Sequence, residues 1–305
     1  MAVQRWTLLA CIALCIVMFQ VGAVKLVGYG LEYLSSALVS RQLRQTYYET
    51  LTAAPVLTPT PSATPVPAAT ATPAATDAPL ATEKPPTLRP QPYPDNPWRI
   101  INSRFTNIRK QNSDIVGWLT IDGMIDEPVV QRDNIFYMTH DYQKRSNANG
   151  AIFLDEIVSL NNRPYTLILY GHNMRSGAVF GNLRDYEKLS FYKANPFITF
   201  DSIYEDGRYV IFSVTQVSVN NQHTIYLDVG GLVFGNVEKR NEVLSMLSAS
   251  SVIRSSITVR ADDQVLLLVT CTGDNSERRV IAARRLREGE TEADVLSLVQ
   301  QSYKQ

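Results

Sequence analysis

After residue 15 the chain contains a single cysteine, Cys271, and this thiol is the first candidate for chemistry. It ends the apolar run 266–270 and is followed by Thr272-Gly273-Asp274-Asn275. This pattern predicts a buried strand and a turn, with the sulfur at the strand end, where a rigid scaffold often presents functional groups. A lone thiol there is reactive, buried and inert, or paired with a second chain.

A nucleophilic cysteine needs a neighbour that manages its proton, and the chain has three histidines. His172 follows the predicted strand 165–170 through Gly171, so it also lies at a strand end. His140 and His223 lie in polar runs and are interpreted as loop histidines. We expect the fold to bring His172 beside Cys271.

Acyl transfer also needs a positive group where a carbonyl oxygen becomes an oxyanion. Arg278 and Arg279 open the strand that follows Cys271, and a hairpin would return one of them to the sulfur. Alternate residues of a strand face opposite sides, so only one of the pair can face the thiol, and the other is a structural or solvated charge. No histidines, cysteines or carboxylates have metal-ligand spacing, and no metal site is expected.

The elements that must position these residues are short strands. Val, Ile, Leu and aromatic residues are concentrated in eight runs bounded mostly by turn residues, which predicts a mainly β fold, a closed eight-stranded β-barrel with peripheral helices. The strands are expected at 115–121, 128–131, 151–154, 165–170, 198–201, 209–217, 264–271 and 278–285. Helices are expected at 98–112, after Asn96-Pro97, and at 179–188, 237–247 and 290–303.

The N-terminal third has a different composition. Residues 6–24 are apolar except for Thr7 and Gln20, and a helix of that length approaches the roughly 30 Å of a bilayer core. We therefore expect a transmembrane signal anchor at 1–25, with a cleaved signal peptide as the alternative. A membrane-proximal helical stalk is predicted for 26–50.

Residues 51–97 hold 13 of the 16 prolines, alternating with Thr, Ala and Ser. Such a segment has too few apolar residues for a core, so we predict a disordered Pro/Thr/Ala-rich linker able to span on the order of 100 Å, and a catalytic domain at 98–305. A long linker suits work across a cell envelope, which favours a cytoplasmic N-terminus and an extracellular domain. Equal numbers of basic and acidic residues, 29 of each, argue against nucleic-acid binding.

Several motifs, in this order, resemble the sortase family, specifically class B. The signature Thr-Leu-x-Thr-Cys of that family is represented by residues 267–271, with Leu267 in place of the first threonine; we expect this change to affect the substrate groove and not the thiol. The other matching segments are Asp114–Asp122, Pro128–Gln131, Tyr137–Asp141, Gly150–Asp155, Tyr170–Met174 and Phe180–Leu183.

The resemblance implies a cysteine transpeptidase without a cofactor. Cys271 would be the nucleophile, His172 the general acid and base, and Arg278 the oxyanion or positioning group, since the family's arginine is followed by one residue and then an apolar strand. We expect Asn173 and Thr270, which adjoin the histidine and the cysteine, to contact substrate.

Implied partners are secreted proteins bearing a C-terminal sorting motif and an amine acceptor, either a cell-wall peptide or a pilin lysine. Two other functions remain open from the residues: a cysteine peptidase that hydrolyses the same thioester, and a non-enzymatic envelope-binding module on a stalk.

Overall fold

The computed structural model describes residues 14–24, 27–28, 40–49, 88, 91–218, 226–271 and 277–305, and only the backbone of Cys271. His223 and most of the predicted linker lie outside these ranges.

Eight strands form a closed barrel in the order β1-β2-β3-β4-β8-β9-β6-β5, with β5 paired to β1. The predicted eight-stranded barrel is therefore confirmed, and each of its strands lies close to its predicted position. Two further short strands, β7 and β10, pair outside the barrel. The strands are β1 Ile115–Ile121, β2 Ile125–Val130, β3 Ile152–Leu154, β4 Thr166–Gly171, β5 Phe197–Ser202, β6 Arg208–Ser218, β7 Ile253–Arg254, β8 Val265–Cys271, β9 Glu277–Arg285 and β10 Tyr303–Lys304.

Strand β8 carries the candidate cysteine and is among the most deeply buried strands. It pairs in parallel with β4 and antiparallel with β9, so both of its edges are hydrogen-bonded. Residues 265–269 are all buried, which explains why this strand is a continuous apolar run and does not alternate with polar residues. The strand therefore holds the backbone of Cys271 rigidly in place.

Helices surround the barrel: α1 at residues 40–49, α2 Ser103–Gln111, α3 Leu189–Ala194, α4 Val229–Phe234, α5 Val237–Ala249 and α6 Glu292–Gln300, with 3-10 turns at Phe136–Met138 and Gly181–Glu187. Helix α5 agrees with the prediction for 237–247, and α6 lies inside the predicted 290–303. The predicted helix 179–188 is instead the 3-10 turn Gly181–Glu187 followed by α3.

The predicted start of the first domain helix was wrong. Asn102, not Asn96, accepts a hydrogen bond from the N–H of Arg104 as the N-cap of α2. Asn96 instead holds a turn, with its side chain accepting from the N–H of Ile100 at 2.8 Å. Trp98, the first residue of the predicted helix 98–112, is 84% exposed and lies before the observed helix.

Helix α1 packs on the outside of the barrel. Leu43 and Tyr47, four residues apart on one face, are buried. The Tyr47 ring stacks on Trp118 of β1 at a centroid distance of 4.3 Å, and its hydroxyl donates to Asp201 at 2.9 Å. The second half of the predicted stalk is therefore attached to the barrel, because its apolar face has a partner there.

Polar contacts add to this packing. Arg44 Nε lies 2.7 Å from Asp126, and the Ser40 hydroxyl donates to Glu127 at 2.8 Å. Burial raises the pKa of Glu127 to about 7, against the opposing effects of Ser40 and Arg44. Both ends of α1 are thus fixed to the β1–β2 side of the barrel.

The folded domain begins ahead of residue 98. Gln91 forms a backbone bridge with Arg163, and Tyr93 is buried with its hydroxyl donating to the carbonyl of Leu160 at 3.1 Å. No helix within the ranges given above is both long and apolar enough to cross a bilayer. Residues 1–13 and 25 of the predicted anchor, and residues 51–87, 89 and 90 of the predicted linker, fall outside those ranges.

Candidate active site

The strand register brings the three predicted catalytic positions to one end of the barrel. In the β8–β9 ladder Cys271 pairs with Arg278. In the β4–β8 ladder Thr270 pairs with Gly171, and His172 is the next residue after Gly171. The Cys271 backbone therefore lies between the strand end that carries His172 and the strand start that carries Arg278.

A groove of about 320 Å³ opens at this end of the barrel. Apolar side chains form most of its walls, and His172 and Arg278 bring polar groups to it, which is the usual composition of a pocket for a small ligand or a peptide side chain. Its lining residues are Asn134, Met138, Phe153, Tyr170, Gly171, His172, Val269 and Arg278.

His172 is half-buried and its orientation is defined by one short contact. Nε2 lies 2.7 Å from the main-chain carbonyl oxygen of Met138. A carbonyl oxygen only accepts, so Nε2 carries the proton and donates it. In the neutral ring the basic lone pair is then on Nδ1, which is the atom available to take up or release a proton.

The two neighbouring arginines of β9 have different surroundings. Arg278 is half-buried, lines the groove, and donates to the carbonyl of Glu277 at 3.1 Å. Arg279 is buried and donates through two nitrogens to Glu187 Oε1, at 3.0 and 2.7 Å. Of the two, Arg278 shares the groove with His172, while Arg279 ties β9 to the 3-10 turn beside the barrel.

A buried carboxylate supports the wall of the groove. The hydroxyl of Tyr170 donates to Asp155 Oδ2 at 2.9 Å, and Asn134 donates to Oδ1 at 3.1 Å. Burial, reinforced by Asp155, raises the pKa of Tyr170 well above its ordinary value, with Arg278 opposing the rise. Tyr170 therefore stays neutral and acts as a hydrogen-bond donor.

Asn134, Tyr170 and Asp155 were missed as site residues by the sequence reasoning. For Tyr170 a signal existed: it lies two residues before His172, and residues two apart in a strand share a face. Asn134 comes from a separate segment before the turn Phe136–Met138, and nothing in its local sequence marks it.

The two predicted substrate-binding residues do not line the groove. Thr270 is buried within β8, and Asn173 is half-buried with its backbone bridged to Val179. Their contact with substrate stays a prediction. His140 does not line the groove. Its ring stacks on Phe136, and its Nδ1 lies 2.9 Å from the carbonyl oxygen of Phe136.

In the part of the chain that the structure describes, no group of three or more His, Cys, Asp or Glu side chains is arranged to hold a metal ion. His172 and Arg278 bring an imidazole and a guanidinium to the groove, and the backbone of Cys271 pairs with Arg278 at the same end of the barrel. These three residue types together suit acyl transfer through a covalent intermediate.

Comparison with known proteins points the same way. Residues 119–286 match the sortase domain family. Sortase B of Staphylococcus aureus is 30% identical over 190 residues, covering 61% of this chain and 75% of that protein. Sortase B of Listeria monocytogenes is 30% identical over 173 residues, covering 56% and 68%. The crystal structure of sortase B from B. anthracis in complex with AAEK1 has a TM-score of 0.60 at 22% identity, covering 84% of this chain and 98% of that one, which is a likeness of fold.

Proposed function

The chain belongs to class B of the sortase family of cysteine transpeptidases, and we propose that Cys271, His172 and Arg278 perform its reaction. The single observation that carries this assignment is the pairing of Cys271 with Arg278 in a ladder whose other side leads directly to His172. The groove shared by His172 and Arg278 would hold the acyl part of the substrate.

In the first half-reaction His172 Nδ1 takes the proton of the Cys271 thiol, and the resulting thiolate attacks the carbonyl carbon of a peptide bond. The new C–S bond forms, the C–N bond breaks, and His172 Nδ1 gives its proton to the departing amine. Arg278 stabilises the oxygen that carries negative charge in the tetrahedral intermediate. The product is a thioester on Cys271 and a free amine.

In the second half-reaction an incoming amine attacks the thioester carbon. His172 accepts the proton of this amine, the C–S bond breaks, and a new peptide or isopeptide bond joins the two partners. The hydrogen bond from Nε2 to the Met138 carbonyl supports this double role, because it holds the ring while Nδ1 changes its protonation state.

We propose that the substrates are secreted proteins with a C-terminal sorting motif, and that the amine comes from a cell-wall peptide or a pilin lysine. We further propose that residues 1–25 anchor the protein in the cell membrane and that the barrel is extracellular. The apolar run 6–24 supports the anchor. A solved Staphylococcus aureus sortase B-substrate complex, 28% identical with a TM-score of 0.54, supports substrate binding by this barrel.

The test uses the full-length protein and a set of C-terminal sorting-motif peptides. Mass measurement of the intact protein should show an acyl adduct that peptide mapping locates on Cys271 and that Cys271→Ala abolishes. An adduct elsewhere, or full ligation by Cys271→Ala, would refute the mechanism. Added amine should speed turnover and give a joined product, whereas an unchanged free acid would favour the hydrolytic peptidase.

A further inference from the structure

The Met138 carbonyl that accepts the hydrogen bond from His172 lies in the segment 137–139, which is hydrogen-bonded to the turn 147–151. The N–H of Ala151 donates to the carbonyl of Tyr137, and the N–H of Asn147 donates to the carbonyl of Thr139, each at 2.9 Å. These two bonds flank Met138 on either side. The turn 147–151 therefore sets where the Met138 carbonyl points.

Gly150 of this turn lies close against the main chain of the segment. Its backbone has φ of +62°, a region in which side chains are rarely accommodated. A Cβ at this position would lie 2.5 Å from the oxygen of Tyr137 and 2.8 Å from the oxygen of Met138. Both are main-chain atoms, which cannot rotate away as a side chain would, so the segment itself would have to move.

We propose that Gly150 is a positioning residue for His172, acting through the Met138 carbonyl; this inference rests on the catalytic role proposed for His172. The absence of a side chain at Gly150 allows the carbonyl to lie 2.7 Å from Nε2, and that contact keeps the proton on Nε2 and the lone pair on Nδ1. A displaced carbonyl releases the ring and lets the proton move to the nitrogen that catalysis needs free.

The test compares Gly150→Ala with the matched control Gly123→Ala in the full-length protein. Gly123 has φ of +67°, so alanine meets the same left-handed backbone there, but its Cβ would have no atom within 4 Å. Any general cost of alanine at positive φ is thus present in both variants. Only the Gly150 variant pushes on Met138.

Two readouts distinguish positioning from a loss of structure. With ¹⁵N-labelled histidine the three rings are few enough to assign, and the His172 nitrogen shifts report which nitrogen carries the proton. We expect Gly150→Ala to reduce the Nε2–H form, and to lower kcat by about 10- to 100-fold with KM changed less than about threefold, since a small misplacement of a catalytic group is costly. Gly123→Ala should leave both readouts at the wild-type values.

A second pair, Gly150→Asn and Gly123→Asn, covers the case in which alanine prevents folding, because asparagine tolerates positive φ but keeps the Cβ. Unchanged His172 signals and kcat in a folded Gly150 variant overturn the inference, as does an equal change in the Gly123 control. Failure of both Gly150 variants to fold, with the controls folded, also counts against it, because the glycine then serves the fold. Wild-type protein that forms no thioester refutes the proposed function, while the ring signals still test the role of Gly150.

Discussion

Arg278 and Arg279 are adjacent in β9, and replacing each by lysine should affect two different properties of the protein. Arg278 lines the groove beside His172, whereas Arg279 is buried against Glu187. Arg278→Lys removes the planar donor group proposed to hold the oxyanion but keeps the charge. By comparison with the loss of a single oxyanion donor, we expect kcat to fall by about 10² to 10³, or roughly 3–4 kcal/mol.

Arg279→Lys should act on stability. Lysine cannot reproduce the two N–H contacts that converge on Glu187 Oε1, and Arg279 itself is only 8% exposed. We expect a loss of about 1–2 kcal/mol in the free energy of unfolding, toward the low end because the Glu187 side chain is 40% exposed. For a domain of about 200 residues this lowers the thermal midpoint by roughly 2–8 °C.

The assay measures thioester formation on Cys271 and thermal unfolding for both variants of the full-length chain, with wild type alongside. Arg278→Lys should unfold within about 2 °C of wild type, since Arg278 is half-buried at the groove and lysine keeps its positive charge. If Arg279→Lys lost the activity and Arg278→Lys kept it, the assignment of the two arginines would be reversed. Equal loss of stability in both would refute the distinction drawn from their burial.

Two other predictions concern buried polar groups. Tyr170→Phe removes the hydroxyl that donates to Asp155, a carboxylate only 3% exposed. It should lower the free energy of unfolding measured in urea by about 1–3 kcal/mol, and a change below about 0.5 kcal/mol would contradict the contact. The pKa of Glu127 is about 7 in the folded state and near 4.5 ordinarily, so between these pH values the folded protein keeps a proton that the unfolded chain releases. The free energy of unfolding therefore falls as pH rises from 4.5 to 7. Between pH 5 and 8 the free energy of unfolding of wild type should fall by about 2 kcal/mol more than that of Glu127→Gln. This value is lower than the full pKa shift would give, because the Glu127 side chain is 31% exposed. Parallel pH profiles of the two proteins would show that Glu127 is not the titrating group.

The barrel could be predicted from the sequence because its signals are local. Strand β1 was predicted at its observed bounds, and β8 within one residue, since runs of apolar residues between turns need no knowledge of their partners. The closed arrangement followed from the number of short strands that must pair. Helix α5, predicted at 237–247, begins after Asn236, whose side chain accepts a hydrogen bond from the N–H of Lys239 as the N-cap.

Errors arose where tertiary contacts decide the local structure. Asn96-Pro97 resembles a helix start, yet Asn96 also donates to the carbonyl of Tyr204, 108 residues away, and this contact holds a turn. The spacing of Leu43 and Tyr47 indicates a helix but cannot reveal that Trp118 of β1 is the partner of its buried face. The partners in such contacts are far apart in the sequence, and neither segment by itself indicates which residue it will contact.

The candidate site was predictable to the extent that it depends on strand ends. Cys271 and His172 were proposed because each follows an apolar run, and the choice of Arg278 combined strand alternation with the register of the family's arginine. The carbonyl that orients His172 is a main-chain group of Met138, and every residue type has one, so the sequence cannot indicate this contact. The carboxylate of Asp155 acts through Tyr170, a contact across paired strands that the sequence does not display.

The docking of α1 changes what the proline-rich segment can do. While α1 stays packed on the barrel, both ends of the segment 50–87 are attached to the same folded domain. The length of this segment then has no effect on the distance between the domain and the N-terminal apolar run. The gap between the apolar run ending at Val24 and the start of α1 is bridged by residues 25–39 alone, which reach at most about 50 Å when fully stretched. With the membrane anchor proposed for residues 1–25, detaching this one helix would add the proline-rich segment to the connection between anchor and barrel. The reach of the barrel from the membrane would then depend on the packing of Tyr47 on Trp118.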